Sequence, residues 1–450
     1  MKKATSVGAT NTLTRVPQIA VALPPTVSVI RRIFSHRRMM HYNRIAVLVI
    51  ILNICVASMI TTYAPLSLLI AAQANFSIAI LGRNQYLVNL MSRLAVRAPV
   101  HWPLDVRWAL AKVYHVGGLH VGAALSGTAW YLAFVLAIVQ KARTYSGSVS
   151  MVNLALSLAF ITLILGIIVM AMPSMRERFH DRFELSHRFF GWTALVLALT
   201  NTLTFALHQF SSGSASGRVQ TMVICSLLLV STASSLTPWF GLRKVRIAVT
   251  SPSSHAALVD LHHDVTPMVG SVRAISRNPF FGWHAFACVR ASDPAHGYRM
   301  VVSRAGDWTG EFIDRPPSHV WVRGIPVAGM ANVRKLFRKV VFVATGSGIF
   351  PLLTHLHANE VSSHMVWVTR NPRKTYGDAL VDEILASQKS ITIWDSDEDG
   401  RPDVLQLAYS AYMQHHAEAV ICVANRKITW QVVYGLEQRA IPAFGPIWDS

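Results

Sequence analysis

The sequence predicts an α-helical six-span membrane bundle, then a strand-rich stretch, then an α/β domain on a parallel sheet. Three observations carry that class. Of 450 residues, 52% are hydrophobic and only 14% are charged, yet the net charge is +20. A soluble chain usually carries about 25% charged residues, and a nucleic-acid binder would explain the basic excess but not the shortage of charge. Membrane spans dilute charge while cytosolic loops collect Lys and Arg, so a bilayer partner explains both and no nucleic acid is needed. The second observation is a series of six apolar windows, and the third is a change of pattern after about residue 243.

A span needs roughly 20 mostly apolar residues to cross about 30 Å of hydrocarbon. The windows are about 45–64, 66–82, 108–139, 151–172, 187–208 and 218–238. The second is short and interrupted by Gln73 and Asn75; the third is long, with its apolar centre near 118–138. None of the six apolar centres contains Asp, Glu, Lys or Arg, which argues against a transporter with midplane charges.

Loop charge predicts orientation. Arg31, Arg32, Arg37, Arg38 and Arg44 precede span one, and Arg83, Arg93, Arg97, Arg107 and Lys112 follow span two. Arg176, Arg178 and Arg182 follow span four, and Arg243, Lys244 and Arg246 leave span six. The opposite loops hold only Lys141, Arg143 and Arg218. Both termini are therefore expected in the cytosol, with residues 1–42 as a basic, disordered tail and 43–240 as the membrane domain. No secretory signal is visible, although the lack of Asp or Glu before Asp105 would also suit an organelle transit peptide. The four cysteines (Cys55, Cys225, Cys288, Cys422) show no disulfide or metal spacing.

Beyond residue 243, segments such as 245–250, 285–290 and 298–304 alternate like strands between Pro, Gly and Asp turns. From about 338, strands alternate with helices, which predicts a parallel sheet. The strongest local signal follows the strand "VVFVAT": Gly346-Ser347-Gly348-Ile349-Phe350-Pro351. Glycines at a strand-to-helix turn let backbone N–H groups approach a phosphate at a helix N-terminus, although a tight turn without ligand looks the same.

Neighbouring motifs make the reading specific. Asn278-Pro279-Phe280, Gly306-Asp307-Trp308-Thr309, the glycine turn and Gly400-Arg401-Pro402-Asp403 occur in that order over about 125 residues. The series resembles the flavin reductase half of ferric reductases and NADPH oxidases. Gly82-Arg83-Asn84 after span two, and His-bearing spans three and five, resemble their transmembrane domain. The resemblance covers roughly residues 45–440 and is nearest to divergent fungal-type transmembrane flavoproteins that lack the outer haem ligands. It implies an FAD-binding-type β-barrel over 243–336 and an NAD(P)-binding α/β domain over 338–450.

Residue by residue, the resemblance places Asn278, Pro279, Phe280 and Phe281 at the flavin ring and Gly306, Asp307, Trp308 and Thr309 near the flavin phosphates. Gly346, Ser347, Gly348 and Pro351 fall at the nicotinamide pyrophosphate, Arg370 and Arg401 at the adenosine end, and Cys422 near the nicotinamide. Arg373 reads equally well as a solvated turn. Departures accompany each region. Asn278 stands for the family's His and Phe281 for its Thr, while Trp283 and His284 follow; these aromatics are either flavin-stacking or barrel core and rim. Val423 and Ala424 replace the Gly and Pro of the family's C-G-P. Trp448 and Phe444 are the candidates for a terminal aromatic over the flavin.

Family members hold two b-type haems through histidines fourteen residues apart on spans three and five. Fourteen helical residues rise about 21 Å and return to roughly one face. Here His115 and His187 start their spans, but Ala129 and Asn201 stand fourteen residues on and cannot ligate haem. The outer haem is expected to be absent, with one inner haem between His115 and His187 or none; His120 is read as off the ligand face. The expected function is an integral-membrane flavoprotein oxidoreductase passing electrons from NAD(P)H through FAD to an unidentified acceptor in or at the membrane. The alternative is a degenerate scaffold or signalling protein that keeps the fold alone.

Overall fold

The computed structural model describes residues 21–59, 64–144, 150–212, 214–263, 267–290, 297–388 and 390–447. Trp448 and the first twenty residues lie outside them, as does the Arg31 side chain. The chain divides into two compact units. One comprises Arg38–Leu90 and Tyr114–Phe240; the other comprises Met1–Arg37, Met91–Val113 and Gly241–Trp448. Residues 91–113, which the sequence places in the loop after span two and at the start of span three, thus belong to the unit that carries the sheets.

The helices run α1 (Val29–Phe34), α2 (His41–Met59), α3 (Pro65–Leu81), α4 (Gln85–Ala95), α5 (Leu104–Leu110), α6 (Gly117–Thr144), α7 (Met151–Ala171), α8 (Pro173–Arg178), α9 (His180–Ser212) and α10 (Ala215–Phe240). Among the described residues five helical stretches are long and apolar enough to cross a membrane. A sixth is gained if α3 and α4, bent by 68° at their junction, form one span. Small residues let helices approach closely. A Cβ on Gly118 would lie 2.0 Å from the Tyr42 carbonyl oxygen, and one on Gly122 would lie 2.6 Å from that of Ala46, so α2 and α6 meet backbone to backbone.

Buried polar groups join the other helices. Asn75 Nδ2 donates to Asn53 Oδ1 (2.8 Å), which also accepts from Trp130 Nε1 (2.9 Å). Gln73 and Asn75, which interrupt the apolar pattern, are both buried in α3, where hydrogen bonding offsets the cost of burial. Asn201 Nδ2 donates to Ser157 Oγ at 3.0 Å. The position where an outer haem ligand would stand therefore joins α9 to α7.

In the other unit, β1 (Arg243–Thr250), β2 (Ala256–Leu261), β3 (Ser271–Ser276), β4 (His284–Ala287), β5 (Val289–Arg290), β6 (Tyr298–Ser303), β7 (His319–Val322) and β8 (Val327–Ala328) form an antiparallel sheet. Its order is β4-β3-β7-β1-β2-β6-β5, with β8 on β3. The terminal strands β4 and β5 are consecutive in sequence, so the sheet curls into a nearly closed barrel around Val259, Leu261, Ile275, Met300 and Val320. Helix α11 (Asp307–Asp314) lies after β6.

Five parallel strands follow: β9 (Lys339–Thr345), β10 (Ser362–Thr369), β11 (Ile391–Asp395), β12 (Ala419–Val423) and β13 (Ala443–Phe444). They are ordered β11-β10-β9-β12-β13 and connected through α12 (Phe350–Ala358), α13 (Pro372–Tyr376), α14 (Asp378–Ser387), α15 (Val404–Gln414) and α16 (Arg426–Glu437). The central strands are wholly buried, as the apolar runs "VVFVA" and "AVIC" require of a sheet covered on both faces. Phe444 is fully buried in β13 against Phe337, which removes it as an aromatic cover for a flavin.

Candidate functional site

The parallel sheet reverses direction at its centre. The chain leaves β9 toward β10 and β11 on one side, then returns to place β12 on the other. Ligands of open α/β sheets bind in the crevice outside the carboxyl ends of the strands at such a switch point. Here that crevice is bounded by the turn Gly346–Ile349 after β9 and by Val423-Ala424-Asn425 after β12. Gly346 has φ +53°, a left-handed conformation, and its carbonyl accepts from Trp367 Nε1 (2.9 Å). A Cβ on Gly348 would stand 2.0 Å from the Val423 carbonyl oxygen. The second glycine of the motif is thus required by packing of one crevice wall on the other. Pro351 lies in the first turn of α12, where its missing N–H costs nothing.

The other predicted nucleotide residues fare differently. Arg401 is exposed beside Gly400, whose φ is +73° and whose carbonyl accepts from Trp394 Nε1 (2.8 Å). Arg370 is exposed and lies 3.5 Å from Asp397. Arg373 is held by Asp378 (2.9 Å) and Asp382 (2.8 Å), which accounts for it as a local clamp on α14. Cys422 is wholly buried in the core of the domain, and burial pushes its thiol up to about 12. Its side chain packs with Val341, Val420 and Ala443 rather than facing the crevice.

The barrel carries a second group of predicted residues. The Asn278 side chain accepts from the Phe280 N–H (2.9 Å) and Gly282 takes φ +60°, forming a tight turn after β3. Phe280 and Phe281 stand on it 63% and 46% exposed, which is unusual for adjacent large aromatics. Trp283, by contrast, is buried, with Nε1 donating to the Pro279 carbonyl (3.1 Å) and the Arg323 guanidinium 4.3 Å over its ring. Trp308 is stacked among His284 (4.2 Å), Phe286 (6.1 Å) and Phe312 (5.1 Å). The sequence left Phe281 and Trp283 as either ring-stacking or core, and placed Trp308 near the flavin phosphates. The structure buries Trp283, packs the half-buried Trp308 against the barrel core, and leaves Phe280 and Phe281 exposed.

Gly306 is extended at the start of α11, and Thr309 Oγ1 accepts from the N–H groups of Ala305 (2.9 Å) and Gly306 (3.1 Å). The first-turn N–H groups of α11, with Asp307 beside them, remain the unbonded end of that helix. Helix α12, which begins at the glycine turn, packs against β4 and β5 and ties crevice to barrel. Its His355 is buried with both ring nitrogens lacking hydrogen-bond partners, and a Cβ on Gly270 would lie 2.0 Å from that ring. Burial, aided by Arg334 and Lys335, holds His355 well below the usual histidine range.

In the helical unit, the ring neighbours of His115 are His41 (5.6 Å) and Tyr114 (4.4 Å). Those of His187 are His120 (6.3 Å) and Phe183 (5.7 Å). Among the described ring contacts, His187 thus lies beside His120 and His115 beside His41 and Tyr114. His115 lies in a 3₁₀ stretch, Ala111–Val116, ahead of α6, so a helical count from His115 to His120 is out of phase.

A nearly closed barrel joined to a parallel sheet with a glycine turn at its switch point fits a flavin-type barrel with a nucleotide-binding domain. The sequence profile "Adenylate-forming reductase 03009, C-terminal domain" matches residues 330–450. The chain is 37% identical over 380 residues to adenylate-forming reductase 03009 of Coprinopsis cinerea, covering 84% of this chain and 37% of that protein. Adenylate-forming reductase 06235 of the same organism is 37% identical over 381 residues, with the same coverage. The chain thus spans little more than a third of these relatives' length. Among solved structures, a flavohemoglobin from Malassezia yamatoensis aligns with 84% of this chain and 98% of its own (TM-score 0.40, 12% identity). A ferredoxin NADP+ reductase from Neisseria gonorrhoeae aligns with 46% and 98% (TM-score 0.37, 13% identity). These structural likenesses are too distant to carry an argument.

Proposed function

We propose that the chain is an integral-membrane oxidoreductase that binds NAD(P)H in the β9/β12 crevice and FAD against the barrel, and delivers electrons to an acceptor in or at the bilayer. The observation that carries this reading is the crevice itself, where Gly348 lies against the Val423 carbonyl at the switch point of the parallel sheet. The word reductase in both relatives' names is in line with it; their adenylate-forming activity is not carried over to this chain.

Each group has a part. The Gly346–Gly348 backbone and the start of α12 hold the pyrophosphate, where aligned N–H groups favour negative charge. Arg401 and Arg370 meet the adenosine end, their guanidinium forks matching phosphate or ribose oxygens. Phe280 and Phe281 cover an apolar ring face and exclude water from it, while the first turn of α11 meets the flavin phosphates. Bound FAD would supply the conversion of a two-electron hydride into single electrons. The five or six apolar helices and the Arg-rich loops support a multi-pass membrane location with both termini cytosolic. Asn201 in the outer layer supports an acceptor within the membrane or at its cytosolic face, such as a lipophilic quinone-like molecule.

Detergent-purified protein is expected to show flavin absorbance and to oxidise NADH or NADPH with an artificial acceptor; absence of both sinks the reading. A second reading, a scaffold retaining the fold alone, draws on the buried Cys422 thiol and on Val423-Ala424 at the nicotinamide end. Flavin retention with rapid reduction by NAD(P)H would count against it.

A further inference from the structure

The parallel sheet carries a second concavity at its other end. An open cleft of about 380 Å³ lies where β9 and β10 begin, lined by Val100, Phe337 and Val361 and by the charged residues Lys335, Arg338 and Glu360. Strands of seven and eight residues, rising about 3.3 Å per residue, set it about 25 Å from the β9/β12 crevice. The cleft is therefore no part of the nucleotide site.

Its charges do not balance. Glu360 accepts from the buried Arg334 and lies 3.0 Å from Lys335 Nζ. Glu418 pairs with the buried Arg107 at 2.7 Å and with Arg338 at 3.5 Å. Each carboxylate is shared between a buried guanidinium, which needs the counter-charge because it is cut off from water, and an exposed cation, which does not. Four cations against two carboxylates leave a surplus of two positive charges, carried by the exposed Lys335 and Arg338. An apolar ridge adjoins them. Val100 lines the cleft and opens a run in which Val100, Trp102, Leu104 and Val106 are each 36–43% exposed. Arg97 and His101 stand exposed in the same run. A tryptophan among exposed aliphatic residues, flanked by cations, is the composition of a segment that enters a lipid headgroup layer.

We propose that this cleft seats the phosphate of an anionic phospholipid headgroup, with Lys335 and Arg338 on its oxygens and the ridge from Val100 to Val106 against its acyl chains. Charge-assisted hydrogen bonds to phosphate are the strong ones, and the ridge selects a lipid over free phosphate. The proposal rests on the membrane reading for a bilayer within reach and not on flavin or nucleotide binding. Its probe is a soluble lipid, so it can fail while the membrane reading stands.

The test is binding of dioctanoyl phosphatidic acid to full-length protein purified in detergent, read by microscale thermophoresis, with dioctanoyl phosphatidylcholine and inorganic phosphate as the comparison probes. Phosphatidic acid should bind saturably and at least tenfold more tightly than either. Lys335→Gln/Arg338→Gln should weaken it about thirtyfold, a factor of about five for each cation near a lipid surface, and added salt should weaken it as well. Trp102→Ala should cost severalfold by removing an aromatic anchor. Flavin content and NAD(P)H oxidation should be unchanged in all of these variants. Should the double variant not fold, Arg338→Gln alone supplies the answer with a loss of about fivefold. The proposal is overturned by equal binding of inorganic phosphate, by equal binding of phosphatidylcholine, or by a double variant that binds as the wild type does. A chain that stays soluble without detergent sinks the membrane reading and leaves this test in force.

Discussion

The two surfaces of the proposed nucleotide and flavin sites are made from different materials. The crevice of the α/β domain is a backbone construction: a left-handed glycine, a second glycine against a carbonyl, a proline in a first helical turn. The barrel surface is a side-chain construction, with two exposed phenylalanines on an Asn-stabilised turn. The first kind tolerates few substitutions because a Cβ has nowhere to go. The second is expected to tolerate many, since Phe280 and Phe281 stand exposed on their turn. Backbone-made sites are legible from sequence, and side-chain-made sites drift out of recognition while their geometry persists.

The comparison breaks if the crevice domain owes its integrity to something other than its own backbone, and the largest expected effect tests that. Lys112, from the segment between α5 and α6, is buried and bonded to Glu437, with the Ala443 carbonyl at 3.0 Å and the Phe444 ring at 4.6 Å. Lys112→Ala leaves the Glu437 carboxylate buried without its cation, at a cost of about 3–5 kcal/mol. A thermal unfolding scan of the purified chain should show the loss, and Lys112→Ala/Glu437→Leu together should recover part of it. An unchanged unfolding temperature in the single variant would show that 91–113 is not part of the domain's core.

Next in size is the glycine itself. Gly348→Ala forces the turn off the Val423 carbonyl, costing about 1–3 kcal/mol by overpacking. NAD(P)H affinity should fall by at least tenfold in a fluorescence titration while flavin content is unchanged. Equal loss of flavin would mean the two surfaces are not separable.

A pH effect follows from His364. It stacks on His415 at 3.7 Å, with its ring nitrogens bonded to Ser390 and Thr392, and burial, aided by His415, lowers it from 6.5 to about 3. The unfolded chain binds this proton near pH 6.5 and the folded chain does not until about pH 3. Stability is therefore fully present above about pH 6.5 and declines as pH falls toward 3. With about 1.4 kcal/mol per unit of pH over that window, a few kcal/mol are at stake. His364→Gln should flatten the acid limb of a stability–pH profile; a profile identical to wild type would place the acid sensitivity elsewhere.

Much of the architecture was readable in advance. Apolar windows marked α2, α3, α6, α7, α9 and α10, because a long helix that is apolar on every face leaves an unbroken apolar run in the sequence. Alternation marked the barrel, and apolar runs with helical spacers marked the parallel sheet. Tertiary facts were not readable. Nothing in the linear pattern shows that residues 91–113 join the sheet-bearing unit, since Arg107 and Lys112 look like topology-setting loop charges. Arg107 is in fact buried and paired with Glu418 at 2.7 Å. The 3₁₀ stretch Ala111–Val116 ahead of α6 is likewise not marked by the linear pattern. Cys422 matched a motif by position, but strand burial turned its thiol into the core.

The smallest effect separates the two surfaces most sharply. Phe281 is 46% exposed on the barrel turn, so truncating it removes little folding energy; any consequence must come from a ligand. If its ring covers flavin, Phe281→Ala forfeits an aromatic contact worth about 0.5–1.5 kcal/mol, or roughly three- to tenfold in flavin affinity at 1.4 kcal/mol per decade. Thermal stability of the flavin-free protein should be unchanged, and Phe281→Tyr should bind as the wild type does. A side-chain surface predicts this graded, chemically tolerant response, where Gly348 predicts an abrupt one. Should Phe281→Ala leave flavin affinity untouched, the exposed pair Phe280–Phe281 faces something other than the isoalloxazine ring, and the flavin-facing assignment of the 278–281 turn falls with it.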